Sequence, residues 1–127
     1  MNEIASTEFY TIGIDKAKNR LFIIYKGAWI KPAQVPDFVK DHARACALLS
    51  PGFTALIDVR QMESMLLTDF VHQVQMDSIR AGIRKAARVY DRPTFIQVQA
   101  EHIRKKTGLN QKAFDNVADA EAWLDES

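Results

Sequence analysis

Phe53-Thr-Ala-Leu-Ile-Asp58-Val-Arg60 follows Pro51-Gly52 and leads toward a helical segment that begins near Thr68. A short apolar run bounded by turn residues and closed by Asp reads as a buried strand. In open α/β sheets, ligands and partners meet the sheet at the carboxyl ends of such strands. The run therefore predicts an α/β fold and a working edge from Asp58 onward.

The flanks agree with that class. Upstream, Val35, Phe38, Val39, His42, Cys46 and Leu49 recur at helical spacing, which predicts a helix over about 33–49. Pro32 and Pro36 crowd its start, where early amides lack intrahelical partners, and Ser50-Pro51-Gly52 ends it. Downstream, Thr68 is expected as the cap and Asp69 as the first residue of a helix to about Ala81. Its apolar residues cover more than one face, so this helix is expected to be largely buried. Ala86 to Tyr90 reads as the next strand. Over 94–107, Phe95-Ile-Gln-Val-Gln alternates like a strand, yet Thr94 and Gln97 fit a capping box; length and Thr107-Gly108 decide for helix. Leu109 to Phe114 is a last strand, and Asn116 caps a helix through Leu124. At the other end, Phe9 to Ile14 and Leu21 to Lys26 flank a polar turn and form an antiparallel hairpin, with Trp29 in the loop beyond Gly27. The order is β-β-α-β-α-β-α-β-α: a single α/β domain over 1–127, with a mixed, mostly parallel sheet and the hairpin at its edge.

Composition fits a soluble globular chain. The 127 residues are 47% hydrophobic and 26% charged, enough to bury a core without staples. No apolar run approaches the ~20 residues that span a bilayer. The first residues lack the basic start and apolar middle of a signal peptide, and Cys46 is the single cysteine, so a cytoplasmic setting is expected. The net charge of +1 hides an asymmetry: nine bases against two acids from Arg80 to Lys112, then five acids and no base from Ala113 onward. One reading is a basic face for an anionic partner. The preferred one is cations near helix C-termini, where the macrodipole suits them. Aromatics are not interleaved with the bases as in single-strand binders, so nucleic acid is not the expected partner.

Several stretches together resemble the STAS domain in its SpoIIAA-like branch. They are the hairpin ending at Gly27, the Pro-Gly-Phe-x-x-Leu-Ile-Asp-x-Arg run of 51–60, Arg84-Lys-Ala-Ala-Arg-Val-Tyr90, and the close from Phe114 to Leu124. The resemblance spans nearly the whole chain and implies a mainly non-catalytic protein. Some members of that family are anti-sigma-factor antagonists switched by phosphorylation of a serine that opens the helix after the central strand. Others are grouped with CRAL-TRIO lipid carriers, for which a small apolar ligand is inferred. Where the antagonists carry an Asp-Ser-Ser-Gly-like turn, this chain reads Leu66-Leu67-Thr68-Asp69. Thr68 is the hydroxyl in the matching place, but the flanking Asp and Gly are missing. A phosphate there would meet a helix N-terminus and also the repelling Asp69, so an uncharged capping role is preferred.

No catalytic residue, metal site or cofactor is assigned. His42, His72 and His102 fall on three different helices without a paired spacing, and a packed His42 is the simpler reading. Cys46 lies one turn from His42 but toward the helix C-terminus, where a thiolate is disfavoured, so it too is read as packing. Asp58 and Arg60 end the central strand and either grip an anionic ligand or partner, or serve locally as cap and solvated cation. Met62-Glu-Ser-Met65-Leu-Leu67 is read as a connecting loop that folds under the sheet as core or offers an adaptable apolar surface. The expected partner or ligand edge is thus Asp58, Arg60, Met62, Met65, Leu67 and Thr68. The expected function is a non-enzymatic protein-interaction or regulatory module. A carrier of a small apolar ligand is the alternative, with an enzyme of unknown class a remote third. Homodimerisation through an exposed strand of the opening hairpin is the one self-association foreseen.

Overall fold

The structure is a computed structural model that describes residues 1–91, 105 and 107–126. Its frame is a six-stranded sheet whose spatial order follows the chain: β1 (Asn2–Ser6), β2 (Tyr10–Asp15), β3 (Arg20–Trp29), β4 (Thr54–Met65), β5 (Lys85–Val89) and β6 (Gln111–Phe114). The first two pairings are antiparallel and the next three parallel, giving the expected mixed sheet. Three α-helices are described: α1 (Phe38–Ala47), α2 (Thr68–Arg80) and α3 (Val117–Asp125). None of the described helices is long and apolar enough to cross a membrane. The expected helix over 94–107 lies almost wholly outside the described residues.

Alternation along the strands separates two cores. On one face Ile12, Ile14, Leu21, Ile23, Tyr25, Ala55, Ile57 and Ala86 meet Phe38, Ala45, Val71 and Val74 of α1 and α2. On the other, Leu56, Ala87 and Val89 meet Ala120 and Leu124 of α3. The Thr54–Val59 part of β4 and the whole of β5 are buried on both sides, which is why Phe53 to Val59 reads as an apolar run.

Four expectations need correcting. The polar segment Asn2–Ser6 forms an additional strand that covers β2, so β1, not a strand of the hairpin, is the sheet edge on that side. Strand β3 runs through to Trp29, which is a fully buried strand residue rather than a loop residue. Helix α1 begins at Phe38, not Ala33: Pro32–Gln34 forms a 3-10 turn, and Pro36 lies before the N-cap Asp37. Pro36 has no amide hydrogen to give and disfavours helical geometry in the residue before it, which keeps the two segments apart. Finally, β4 does not stop at Val59 but continues to Met65 along β3, across two register shifts.

One glycine is required by the close packing of two turns. Gly82 ends α2 with φ +96°, and a Cβ there would come within 3.0 Å of Pro51 Cβ. Its carbonyl also accepts from the amide of Gly52 at 2.7 Å, which ties the exit of α2 to the entry of β4.

Candidate functional site

The sequence edge is built by the unequal length of neighbouring strands. Strand β5 pairs with β4 only from Thr54 to Asp58, whereas β3 accompanies β4 as far as the Trp29–Met65 pair. Asp58 therefore sits where one side of the central strand loses its neighbour. Its buried carboxylate is gripped by Arg60: Nε donates to Oδ1 at 3.0 Å, Nη2 to Oδ2 at 2.8 Å, and the Arg60 amide also to Oδ1 at 3.0 Å. These hydrogen bonds and the adjacent charge raise the Arg60 pKa above its ordinary value. The parallel fork of the guanidinium is thus already filled by a carboxylate of its own chain. The pair stiffens the edge, and Asp58 has the local capping role, while the outer side of Arg60 stays exposed.

Beyond it, the expected loop is strand, and the apolar residues divide between inside and outside. Met65 is buried in the core, and Met62 and Leu67 pack against it half-buried. Leu66 is 62% exposed. Thr68 is not the cap expected for α2: the N-cap position falls on Leu67, whose side chain cannot accept a hydrogen bond, and Thr68 is the first helical residue, half-buried. The cause is the longer β4. With only Leu66 and Leu67 left between Met65 and Thr68, the helix start is anchored by Leu67 packing, not by a hydroxyl.

A second constellation lies between the sheet and the α1–α2 layer, and sequence reading found only half of it. His42 on α1 is buried, and its Nε2 lies 3.0 Å from Ser78 Oγ of α2. Cys46 Sγ is 3.7 Å from the same nitrogen. Burial lowers the His42 pKa to about 4 against the opposing pull of Asp77, and burial with the Asp77 charge pushes Cys46 up to about 12. At neutral pH the ring is uncharged and the thiol keeps its proton, which is the state of a packed pair and not of an activated thiolate. His72 is exposed on α2, and His102 lies outside the described residues. The unforeseen members are Gln75 of α2 and Arg88 of β5, both 3% exposed. Arg88 pairs in register with Ile57 and so takes the α1–α2 side of the sheet, beside Tyr25. The signal was present as a basic residue at an inward register of an apolar strand.

Among the described residues, Arg80, Arg84, Lys85 and Arg88 of the basic run do not form one face, and Arg92, Arg104 and Lys106 lie outside those residues. Arg80 pairs with Asp77 at 3.1 Å. Arg84 donates to the carbonyls of Glu126 at 2.7 Å and Leu124 at 3.0 Å, and Lys85 Nζ donates to the carbonyl of Trp123. Cations at a helix C-terminus were expected, and the helix served is α3.

The fold that these elements define is SpoIIAA-like: a single α/β unit with antiparallel strands at one side of a mixed sheet. Among solved structures, the chain is similar to an uncharacterized protein of the DUF3478 family with a SpoIIAA-like fold from Shewanella loihica PV-4. The two share 16% identity with a TM-score of 0.63, over 94% of this chain and 97% of that one. The identity is low, so the likeness is one of fold. No family model and no curated protein matches the chain.

Proposed function

We infer that the protein is a non-enzymatic interaction or regulatory module of STAS-like fold, and that it meets a protein partner at the carboxyl ends of β3 and β4. One observation carries the reading. The Leu66 amide donates to the Trp29 carbonyl at 2.8 Å, just past the Trp29–Met65 pair, which sets Leu66 beside Ile30 at the end of the two central strands. Both are exposed, Ile30 by 46% and Leu66 by 62%, while the residues that precede them are buried. Two large apolar side chains held on rigid backbone lose little freedom on binding, so an apolar notch on a partner protein suits them. The sheet end is also where open α/β sheets commonly engage what they bind.

Carriage of a small apolar ligand draws less support, because Met65 is in the core and Met62 and Leu67 pack onto it. The state of Cys46 and His42 supports the non-enzymatic reading.

The test is an affinity capture from the source cells with wild type and an Ile30→Asp/Leu66→Asp variant, with folding checked by amide spectra. Both positions are exposed, so stability is expected to change by no more than about 1 kcal/mol. Partners that bind the wild type should be lost by the variant. If both capture the same proteins with equal yield, this end of the sheet is not the contact surface. Lipid seen by native mass spectrometry on the folded protein would favour the carrier instead.

A further inference from the structure

We propose that the hollow between the sheet and the α1–α2 layer is a binding site for one small monovalent anion of about chloride size, held by Arg88 and Gln75. The hollow measures about 10 Å³ and is lined by these two side chains together with Tyr25, His42, Ser78 and apolar residues that include Val74 and Leu109. The centre of a water-sized sphere can move within that volume, so the hollow takes one small guest.

The donors point to an ion and not to an apolar guest. Arg88 Nε and Gln75 Nε2 are both buried with no hydrogen-bond partner. The Gln75 amide is oriented by its other end, since Oε1 accepts from Thr107 Oγ1 at 2.8 Å. Two residues of different elements, each with one unfilled donor, thus border one small space, and Tyr25 is hydrogen-bonded to the Arg88 guanidinium there. His42 and Ser78 are already bonded to each other, so the unmet capacity at the hollow is for an acceptor.

Charge sharpens the choice. A guanidinium does not lose its proton in proteins, so Arg88 brings a full positive charge into a site 3% exposed. Among the described residues no carboxylate is bonded to it. Asp77, whose charge reaches His42 and Cys46, is bonded to Gln73 at 2.9 Å and to Arg80 at 3.1 Å. A buried cation of this kind is stable only with a counter-charge or several oriented acceptors. A water would satisfy the donors but leave the charge and bring hydrogens of its own to place. A monatomic anion accepts from both donors and neutralises the charge in the same volume.

Chloride is the probe. Chloride line widths are measured by chlorine nuclear resonance over the folded protein, and melting midpoints are compared in sodium chloride and sodium gluconate at equal ionic strength. Gluconate is too large for the hollow. Excess broadening and a higher midpoint in chloride are expected, both lost in Arg88→Met. If Arg88→Met does not fold, Gln75→Leu decides: it keeps the charge, removes one donor, and should weaken chloride binding roughly tenfold. Equal midpoints in the two salts with no excess broadening would overturn the proposal. So would broadening that is unchanged in Gln75→Leu, since it would place the ion elsewhere, and so would a bromide-soaked crystal in which the hollow holds water alone.

Discussion

On one face of the sheet, α1 and α2 enclose Trp29, Phe38, Tyr10 and Tyr25. Trp29 and Phe38 meet edge to face at 4.8 Å between ring centres, and Tyr10 meets Phe38 edge to face at 5.1 Å. On the other face, α3 covers only a small apolar patch, and cations hold its C-terminal end. Arg20, itself 2% exposed, reaches Asp125 at 2.7 Å, Glu121 at 3.5 Å and Thr54 Oγ1 at 2.9 Å. Arg84 and Lys85 take the last carbonyls of the helix, and Lys85 also lies 4.5 Å from the centre of the Trp123 ring. The first face gains its stability mainly from buried area, and salt does not screen such contacts. The second depends on charge-assisted bonds to groups that water also reaches, and each such bond is worth less.

If that contrast is correct, the largest loss follows from emptying the aromatic face. Trp29 is fully buried, and its Nε1 donates to the carbonyls of Phe9 and Lys26, both at 3.1 Å. Trp29→Ala should cost about 3–5 kcal/mol in urea unfolding, from lost contacts and the lost indole hydrogen bonds, although the Phe9 carbonyl keeps the Lys26 amide at 2.9 Å. A cost no greater than that of removing Arg20 would break the comparison.

The same face holds the acid-sensitive group. His42 titrates near 6.5 in the unfolded chain and at about 4 when folded. Between these values the unfolded state binds the extra proton, so stability is full above pH 6.5 and declines as pH falls toward 4. The total is about 3 kcal/mol. The difference in unfolding free energy between wild type and His42→Gln should therefore change through this window. A difference that stays constant from pH 7 to 4 would show that the ring is not held neutral by burial.

These contrasts explain what the sequence could and could not reveal. The central strands, α1, α2 and α3 were legible because two-sided or striped burial leaves a period in the residues, as in Phe53 to Val59 or the stripe from Val35 to Leu49. Strand β1 was not, since Asn2-Glu-Ile-Ala-Ser6 has little apolar mass and owes its extended state to pairing with β2. The extension of β4 to Met65 was hidden by the register shifts opposite Ile24–Lys26 and Gly27–Ala28, which break alternation where a strand would otherwise show it. At the candidate edge, Asp58 and Arg60 were found as residues, but their mutual grip depends on backbone geometry that spacing does not encode. Leu66 looked no different from Leu67, and only the start of α2 separates the exposed one from the packed one. Arg88 and Lys85 read as one basic cluster. Three residues apart on a strand, they project to opposite faces, one into the hollow and the other to the end of α3.

The α3 face should respond more weakly and more locally. Arg20→Met removes a buried cation whose acidic partners are partly solvated, so about 1–3 kcal/mol is expected. Amide exchange should accelerate over 117–125 while the Tyr10–Tyr25 pairing of β2 and β3 stays protected. Uniform acceleration across the sheet would mean that Arg20 supports the whole fold and not one helix.

The smallest effect belongs to Asp125, which is exposed yet has its pKa lowered, first by the hydrogen bond from Arg20. A depressed folded value means that this contact stabilises above the unfolded pKa of 3.8 and is lost as pH falls through the folded one. Asp125→Asn should thus be slightly less stable than wild type at pH 7, with the gap closing below pH 3.8 and shrinking in high salt. A gap that ignores both acid and salt would assign the role of Asp125 to packing. The α3 face would then be held in the same way as the aromatic one, and the contrast between the two would fail at its most exposed point.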